Sequence, residues 1–249
     1  MKINFRQYVR RLLNMLLGMF GLELTRKDQR HENYLNLRKI LADAEAAGLS
    51  LGEYIDTAFN EPGATDCTLE KMAELGVFSQ AMNRVCEIGP GSGRYLERTI
   101  AFCHPQIYEI YETAKEWRRW LASKFPVIAH EADGETLSHT PSHSVDLVQA
   151  HKVFVGLKVF GIMHYFLEMI RVCAPGGYVV FDVLTENCFQ LDMLGQWLDV
   201  NPYWPCALLL QSVVTAFFLC RGMELIGRFT IPMRPGITDY FVFRNHKSI

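Results

Sequence analysis

Hydrophobic and polar positions alternate along this chain in three regimes. Residues 1–24 read as one amphipathic helix, with Val9, Leu12, Leu13, Leu16 and Phe20 on one face and Gln7, Arg11, Asn14 and Gly18 opposite. Residues 28–80 carry helical spacing and no strand signal. Glu32 to Ala47 places Tyr34, Leu35, Leu37, Ile40 and Leu41 at helical intervals, and Gly48 stops it. Ser50, with Glu53 three residues on, forms a capping box for a short helix through Tyr54 and Ile55. Asn60-Glu61-Pro62-Gly63 is a loop, and Thr68 to Leu75 a further helix ended by Gly76.

From residue 81 the period switches back and forth between strand and helix. Strands are predicted at Arg84–Ile88, Gln106–Tyr111, Val127–His130, Val145–Gln149 and Tyr178–Val183. The helices between them are expected at about Arg94–Phe102, Ala114–Lys124 and Gly161–Cys173, the last ended by Pro175-Gly176-Gly177. Such alternation implies a doubly wound, mostly parallel α/β sheet. Residues 203–220 are long enough in apolar run to raise a transmembrane helix. Gln211, Ser212 and Thr215 interrupt it and strands follow, so a buried helix is expected instead. Two closing strands, Met223–Ile231 and Asp239–Arg244, flank a turn-rich link from Met233 to Thr238.

At the end of the first strand stands Glu87-Ile88-Gly89-Pro90-Gly91-Ser92-Gly93, opening directly into a helix. Glycines let a backbone approach a ligand closely, and the first turn of the helix offers free N–H groups. No Gly-Lys-Ser/Thr ending marks a phosphate loop. The third glycine of a dinucleotide turn would fall at 94, where Arg94 stands. The run E-x-G-x-G-x-G resembles motif I of the class I S-adenosylmethionine (SAM)-dependent methyltransferases. The closing antiparallel hairpin after five parallel strands fits the same family, giving a Rossmann-like sheet of seven strands over residues 81–249. A basic amphipathic helix (1–27) and a helical cap (28–80) precede it.

The resemblance implies SAM as cofactor and assigns roles. Glu87 would lie near the methionine end of SAM, with Gly89, Gly91, Ser92 and Gly93 making room for it. Glu112, nineteen residues after Gly93, is the expected partner of the ribose hydroxyls, with Glu109 as the alternative register. Asp133 and Gly134 would lie beside adenine, and Gln149 near the pocket at the end of the fourth strand. His151 and Asp182 are the candidate catalytic groups: an imidazole suits general-base work at neutral pH. Glu186 and the Met163-His164-Tyr165 run are weaker candidates. The Asp/Asn-Pro-Pro-Tyr/Phe signature is absent, which argues against methylation of DNA bases or of protein glutamine amides. A hydroxyl acceptor on a small molecule or saccharide is expected, and the N-terminal helix suggests a lipid-linked one.

Charge modifies this picture at one end. Net charge over 249 residues is −2, with no nucleic-acid signature. Yet Lys2, Arg6, Arg10, Arg11, Arg26 and Lys27 against Glu23 give residues 1–27 a charge of +5. A basic, apolar-faced helix can lie in a membrane interface, on its own domain or on a second subunit. No small-residue cleavage site follows it, so a signal peptide is not expected. The seven cysteines are scattered, with no metal-ligand spacing and no disulfide framework. A cytoplasmic setting, peripheral to a membrane through residues 1–24, is the resulting expectation, with no metal site.

Overall fold

The computed structural model describes residues 35–189, 191, 194–199 and 207–246. The amphipathic helix expected at 1–24, and the first residues of the helix expected from Glu32, lie outside them. Three helices come first. In α1 (Leu37–Ala47) Asn36 accepts the Lys39 N–H at 3.0 Å and so fixes the start. The capping box of Ser50 and Glu53 opens α2, which runs to Phe59, past the expected end at Ile55. α3 spans Ala64–Glu74, starting earlier than the expected Thr68 because Gly63 already turns the chain after Pro62.

The sheet follows. Its strands are β1 (Arg84–Ile88), β2 (Ile107–Glu112), β3 (Ile128–Glu131), β4 (Val145–Ala150) and β5 (Cys173–Thr185), with a two-residue β6 (Leu208–Leu209), then β7 (Met223–Met233) and β8 (Gly236–Asn245). Between them run α4 (Arg94–Cys103), α5 (Lys115–Lys124), α6 (Val159–Val172), α7 (Leu194–Asp199) and α8 (Gln211–Leu219). Strand order is β3-β2-β1-β4-β5-β8-β7, with β6 beside β5. β1 to β5 are parallel, while β8 runs antiparallel to both β5 and β7. The expected seven-strand path with its closing antiparallel hairpin is therefore present, and β6 is an eighth strand the sequence did not announce.

Period-2 burial divides the strands between two layers. One face packs Val85, Tyr108, Ile110, Leu147 and Val180 against Leu69 and Met72 of α3, Leu96 of α4 and Leu121 of α5. The other packs Cys86, Val148, Phe181 and Phe243 against Phe166 and Met169 of α6 and Phe218 of α8.

Three expectations need correcting. Residues 203–220 are not one buried helix. Leu208 and Leu209 pair with Leu184 and Thr185, and α8 begins only at Gln211, burying Val214 and Phe218 while Val213 and Leu219 face outward. Pro175-Gly176-Gly177 does not close a helix; it lies within β5, where the β4 register shifts between Val145 and Leu147. A Cβ at Gly177 would sit 2.9 Å from the Val145 carbonyl oxygen, so only glycine permits that approach. The closing hairpin is also longer than expected. Met233 pairs with Gly236, which leaves Arg234-Pro235, joined by a cis peptide, as the whole link. That link touches the helical segment: Arg234 Nε lies 3.1 Å from Glu61 Oε1, in the loop between α2 and α3.

Among the described residues no helix is long and apolar enough to cross a membrane.

Candidate active site

Strand order reverses between β1 and β4: β2 lies on one side of β1, β4 on the other. In such sheets a crevice opens beyond the carboxyl ends of the strands at that point. The glycine turn stands there. Gly89 donates its N–H to the Tyr111 carbonyl at 2.8 Å, which ties the turn to the end of β2. Gly89, Gly91 and Gly93 all have positive φ. A Cβ at Gly89 would meet Val153 Cγ2 at 2.7 Å, and one at Gly93 would meet Leu121 Cδ2 at 2.6 Å. At Gly91 the nearest atom is the Gly89 carbonyl oxygen, at 4.0 Å. Positive φ favours glycine at all three positions; beyond that, a side chain at 89 or 93 would crowd Val153 or Leu121, while Gly91 faces open space. Ser92 is half-buried within the turn.

Glu112 ends β2 behind the turn. One carboxylate oxygen accepts the Gly91 N–H at 3.1 Å and the other the Ala114 N–H at 2.8 Å. Burial raises its pKa against the lowering effect of these bonds. Glu109, the alternative, points to the opposite face of the sheet. There it accepts from Thr140 at 2.5 Å and lies 3.4 Å from Arg84 Nε, a structural network away from the turn. The pleat thus places Glu112, and not Glu109, beside the glycine turn.

Glu87 is buried rather than open to the crevice. Tyr108 donates to its Oε2 at 2.5 Å and Gln149 Nε2 to the same oxygen at 3.3 Å. Gln149 Nε2 also reaches Tyr108 Oη at 2.9 Å and Thr99 Oγ1 at 3.1 Å. Burial pushes the Glu87 carboxyl up to about 7, despite these donors and the positive charge of Arg94. Gln149, expected to line the pocket, belongs instead to this buried cluster, and its Oε1 has no hydrogen-bond partner.

His151 follows β4 and is 5% exposed. Its ring stacks on Tyr95 with centroids 4.0 Å apart, and its Nδ1 lies 3.3 Å from Tyr240 Oη. Its Nε2 is buried without a partner. Burial, then the charges of Arg94 and Lys152, hold its pKa well below the usual value, so the ring is neutral at pH 7. Lys152 adopts a left-handed φ of 59°. Asp182 pins it there, accepting the Lys152 N–H at 2.6 Å on one oxygen and the Thr238 hydroxyl at 2.9 Å on the other. Asp182 is wholly buried. Through these bonds Asp182 positions Lys152, the residue after His151. From the helical segment, Asp56 pairs with Arg94 at 3.4 Å and accepts from Thr65 at 2.8 Å.

The remaining candidates are spread more widely. Asp133 is exposed and bends its own loop, accepting from the Glu135 and Thr136 N–H groups at 2.8 and 2.7 Å and from the Thr136 hydroxyl. Burial acts to raise its pKa, but these bonds hold it below the ordinary value. Gly134 beside it has φ 92° and open space around it. Glu186 accepts the Gln211 N–H at 3.0 Å and so starts α8. His164 is exposed and lies 3.5 Å from Glu135. Sequence reasoning missed Lys152, Tyr95, Tyr108 and Tyr240. Lys152 could have been found, since it directly follows His151 at the strand end; the tyrosines carry no local signal.

No protein-family model and no curated protein sequence matches the chain. Solved structures do. The N-methyltransferase NodS from Bradyrhizobium japonicum WM9, in complex with S-adenosyl-L-homocysteine (SAH), is 15% identical with a TM-score of 0.56, covering 75% of this chain and 90% of its own. A SAM-dependent methyltransferase from Aquifex aeolicus is 14% identical with a TM-score of 0.54, covering 84% and 98%. The (4+2)-cyclase SpnF is 12% identical with a TM-score of 0.55, covering 74% and 81%. The chain thus has the class I SAM-dependent methyltransferase fold.

Proposed function

We propose that this chain binds SAM at the glycine turn and transfers its methyl group to a hydroxyl of a small-molecule, saccharide or lipid-linked acceptor. The observation that carries the reading is Gly91. It is left open between two glycines that the protein itself fills, and a carboxylate at the end of β2 stands directly behind it. Glu112 holds the turn through the Gly91 and Ala114 N–H groups, which sets a carboxylate at the position where the ribose hydroxyls would lie.

Bound SAM supplies an activated methyl on a sulfonium, so the protein's task is alignment and, for a hydroxyl acceptor, proton removal. His151 suits that task. It is neutral, its ring is fixed between Tyr95 and Tyr240, and its Nε2 holds an unused lone pair or N–H according to tautomer. Asp182 acts through Lys152, holding the residue after His151 in place.

SpnF has this fold and is described as a cyclase, so the fold leaves the reaction open. The rival reading is a non-catalytic scaffold. Calorimetric titration with SAM and SAH, with NADH as control, decides between them. Micromolar binding of the first two alone supports the enzyme, whereas no binding by folded protein leaves the scaffold. We further propose a cytoplasmic setting in which residues 1–24 contact a membrane surface. Flotation with anionic liposomes tests this, and equal behaviour of full-length protein and a variant lacking residues 1–27 would refute it.

A further inference from the structure

Three buried side-chain atoms among the described residues have no hydrogen-bond partner: Gln149 Oε1, His151 Nε2 and Lys152 Nζ. Two of these belong to consecutive residues at the carboxyl end of β4. Buried polar groups are ordinarily paired, and an ammonium more strictly than most. Lys152 Nζ has Asp182 Oδ2 at 3.6 Å, beyond hydrogen-bonding distance, and both Asp182 oxygens are already engaged by better-placed donors. The Tyr240 ring lies 5.6 Å from Nζ and offers only its π face. The backbone of Lys152 is held in a conformation that residues with a side chain rarely adopt. Such departures, when the surroundings enforce them, mark places where position matters.

An ammonium donates and cannot accept, so what completes it is an oxygen acceptor. We propose that the acceptor molecule is a hydroxy acid, whose carboxylate is bound by Lys152 Nζ while its hydroxyl faces His151 Nε2. The proposal rests on the methyltransferase reading of the site. A single ammonium matches a monoanion. Lys152 and Arg94 are each paired with one carboxylate, Asp182 at 3.6 Å and Asp56 at 3.4 Å, so what selects the ligand is the unfilled hydrogen-bonding capacity of Lys152 Nζ rather than excess charge. The same anion would raise the basicity of His151, since a nearby negative charge favours the protonated ring. The free site then holds a weak base, and the correct acceptor strengthens it on binding. A neutral acceptor of the same shape would gain neither effect.

The cofactor also carries a carboxylate, so the test is run with SAH saturating. The probes are 2-, 3- and 4-hydroxybenzoate, each against its amide, titrated calorimetrically into full-length protein. At least one acid is expected to bind ten-fold or more tighter than its amide. Lys152→Met should remove that difference while leaving SAH affinity within threefold, and Lys152→Arg, which keeps the charge, should restore part of it. The comparison of acids with amides in the unaltered protein stands even if a variant fails to fold. No acid binding better than its amide overturns the proposal. So does a tenfold loss of SAH affinity in folded Lys152→Met, which would give the lysine to the cofactor. Failure of the unaltered protein to bind SAH at all is a different result, and counts against the methyltransferase reading itself.

Discussion

Replacing Glu87 with glutamine should stabilise the protein at alkaline pH, and the structure sets how much. The carboxyl titrates near 7 in the folded chain against an ordinary 4.5, because it is fully buried beneath Tyr108 and Gln149. Its folded pKa is raised, so protonated Glu87 contributes stability that is complete below 4.5 and is lost as pH rises through about 7. At about 1.4 kcal/mol per pH unit, ionisation in place costs the folded state about 3 kcal/mol. The amide keeps the size of the side chain and an acceptor for the Tyr108 hydroxyl, and carries no charge at any pH. Urea denaturation of both proteins from pH 5 to 8.5 measures the effect. The variant should gain about 3 kcal/mol relative to the parent across that range, which for a chain of this size corresponds to roughly 6–12 °C in Tm. A stability difference that stays constant within about 0.5 kcal/mol from pH 5 to 8.5, where the reasoning above requires about 3, would refute the argument.

Three further outcomes follow from the geometry. Gly91→Ala should lower SAH affinity at least tenfold, whereas Gly93→Ala should lower Tm more than Gly91→Ala does, because its methyl adds a 2.6 Å contact with Leu121 Cδ2 to the left-handed φ strain that both share; parallel calorimetry and thermal melts separate the two. His151→Gln should lower kcat by about a hundredfold or more with little change in KM for SAM. Its folded pKa lies below the unfolded value, so the stability from neutral His151 is full above about 6.5 and is lost as pH falls below it, at up to about 1.4 kcal/mol per unit; that acid slope should flatten in the variant. Asp56→Ala leaves Arg94 buried without its partner and should cost about 3–5 kcal/mol, while Asp56→Leu combined with Arg94→Met should cost less than Asp56→Ala alone, as read by urea denaturation.

The β/α alternation and the glycine turn were legible because each rests on local signals: a change of period, and a cluster of glycines at a strand end. The pleat then resolved what local reading left open, sending Glu109 to one face and Glu112 to the other. Errors arose where pairing partners far along the chain decide the outcome. Leu208 and Leu209 look like part of a helix until Leu184 and Thr185 are beside them. Pro175-Gly176-Gly177 reads as a break until β4 is seen to pass so close that glycine is required. At the site, residue types were readable and their engagements were not. Nothing local in Asp182 says that both its oxygens are taken by Lys152 and Thr238, or in Gln149 that its amide faces Glu87.

The single antiparallel strand has a consequence for how this protein could be recombined with its structural neighbours. Because β8 runs against β5, the link before it emerges at the same edge as the glycine turn, where Arg234 meets Glu61. Exposed ion pairs are worth about 1 kcal/mol or less, so this contact adds little stability. It does join the first and last described parts of the chain. A chimera that grafts foreign helices onto this sheet would lose this contact unless the hairpin tip, 173 residues on from Glu61, travelled with them.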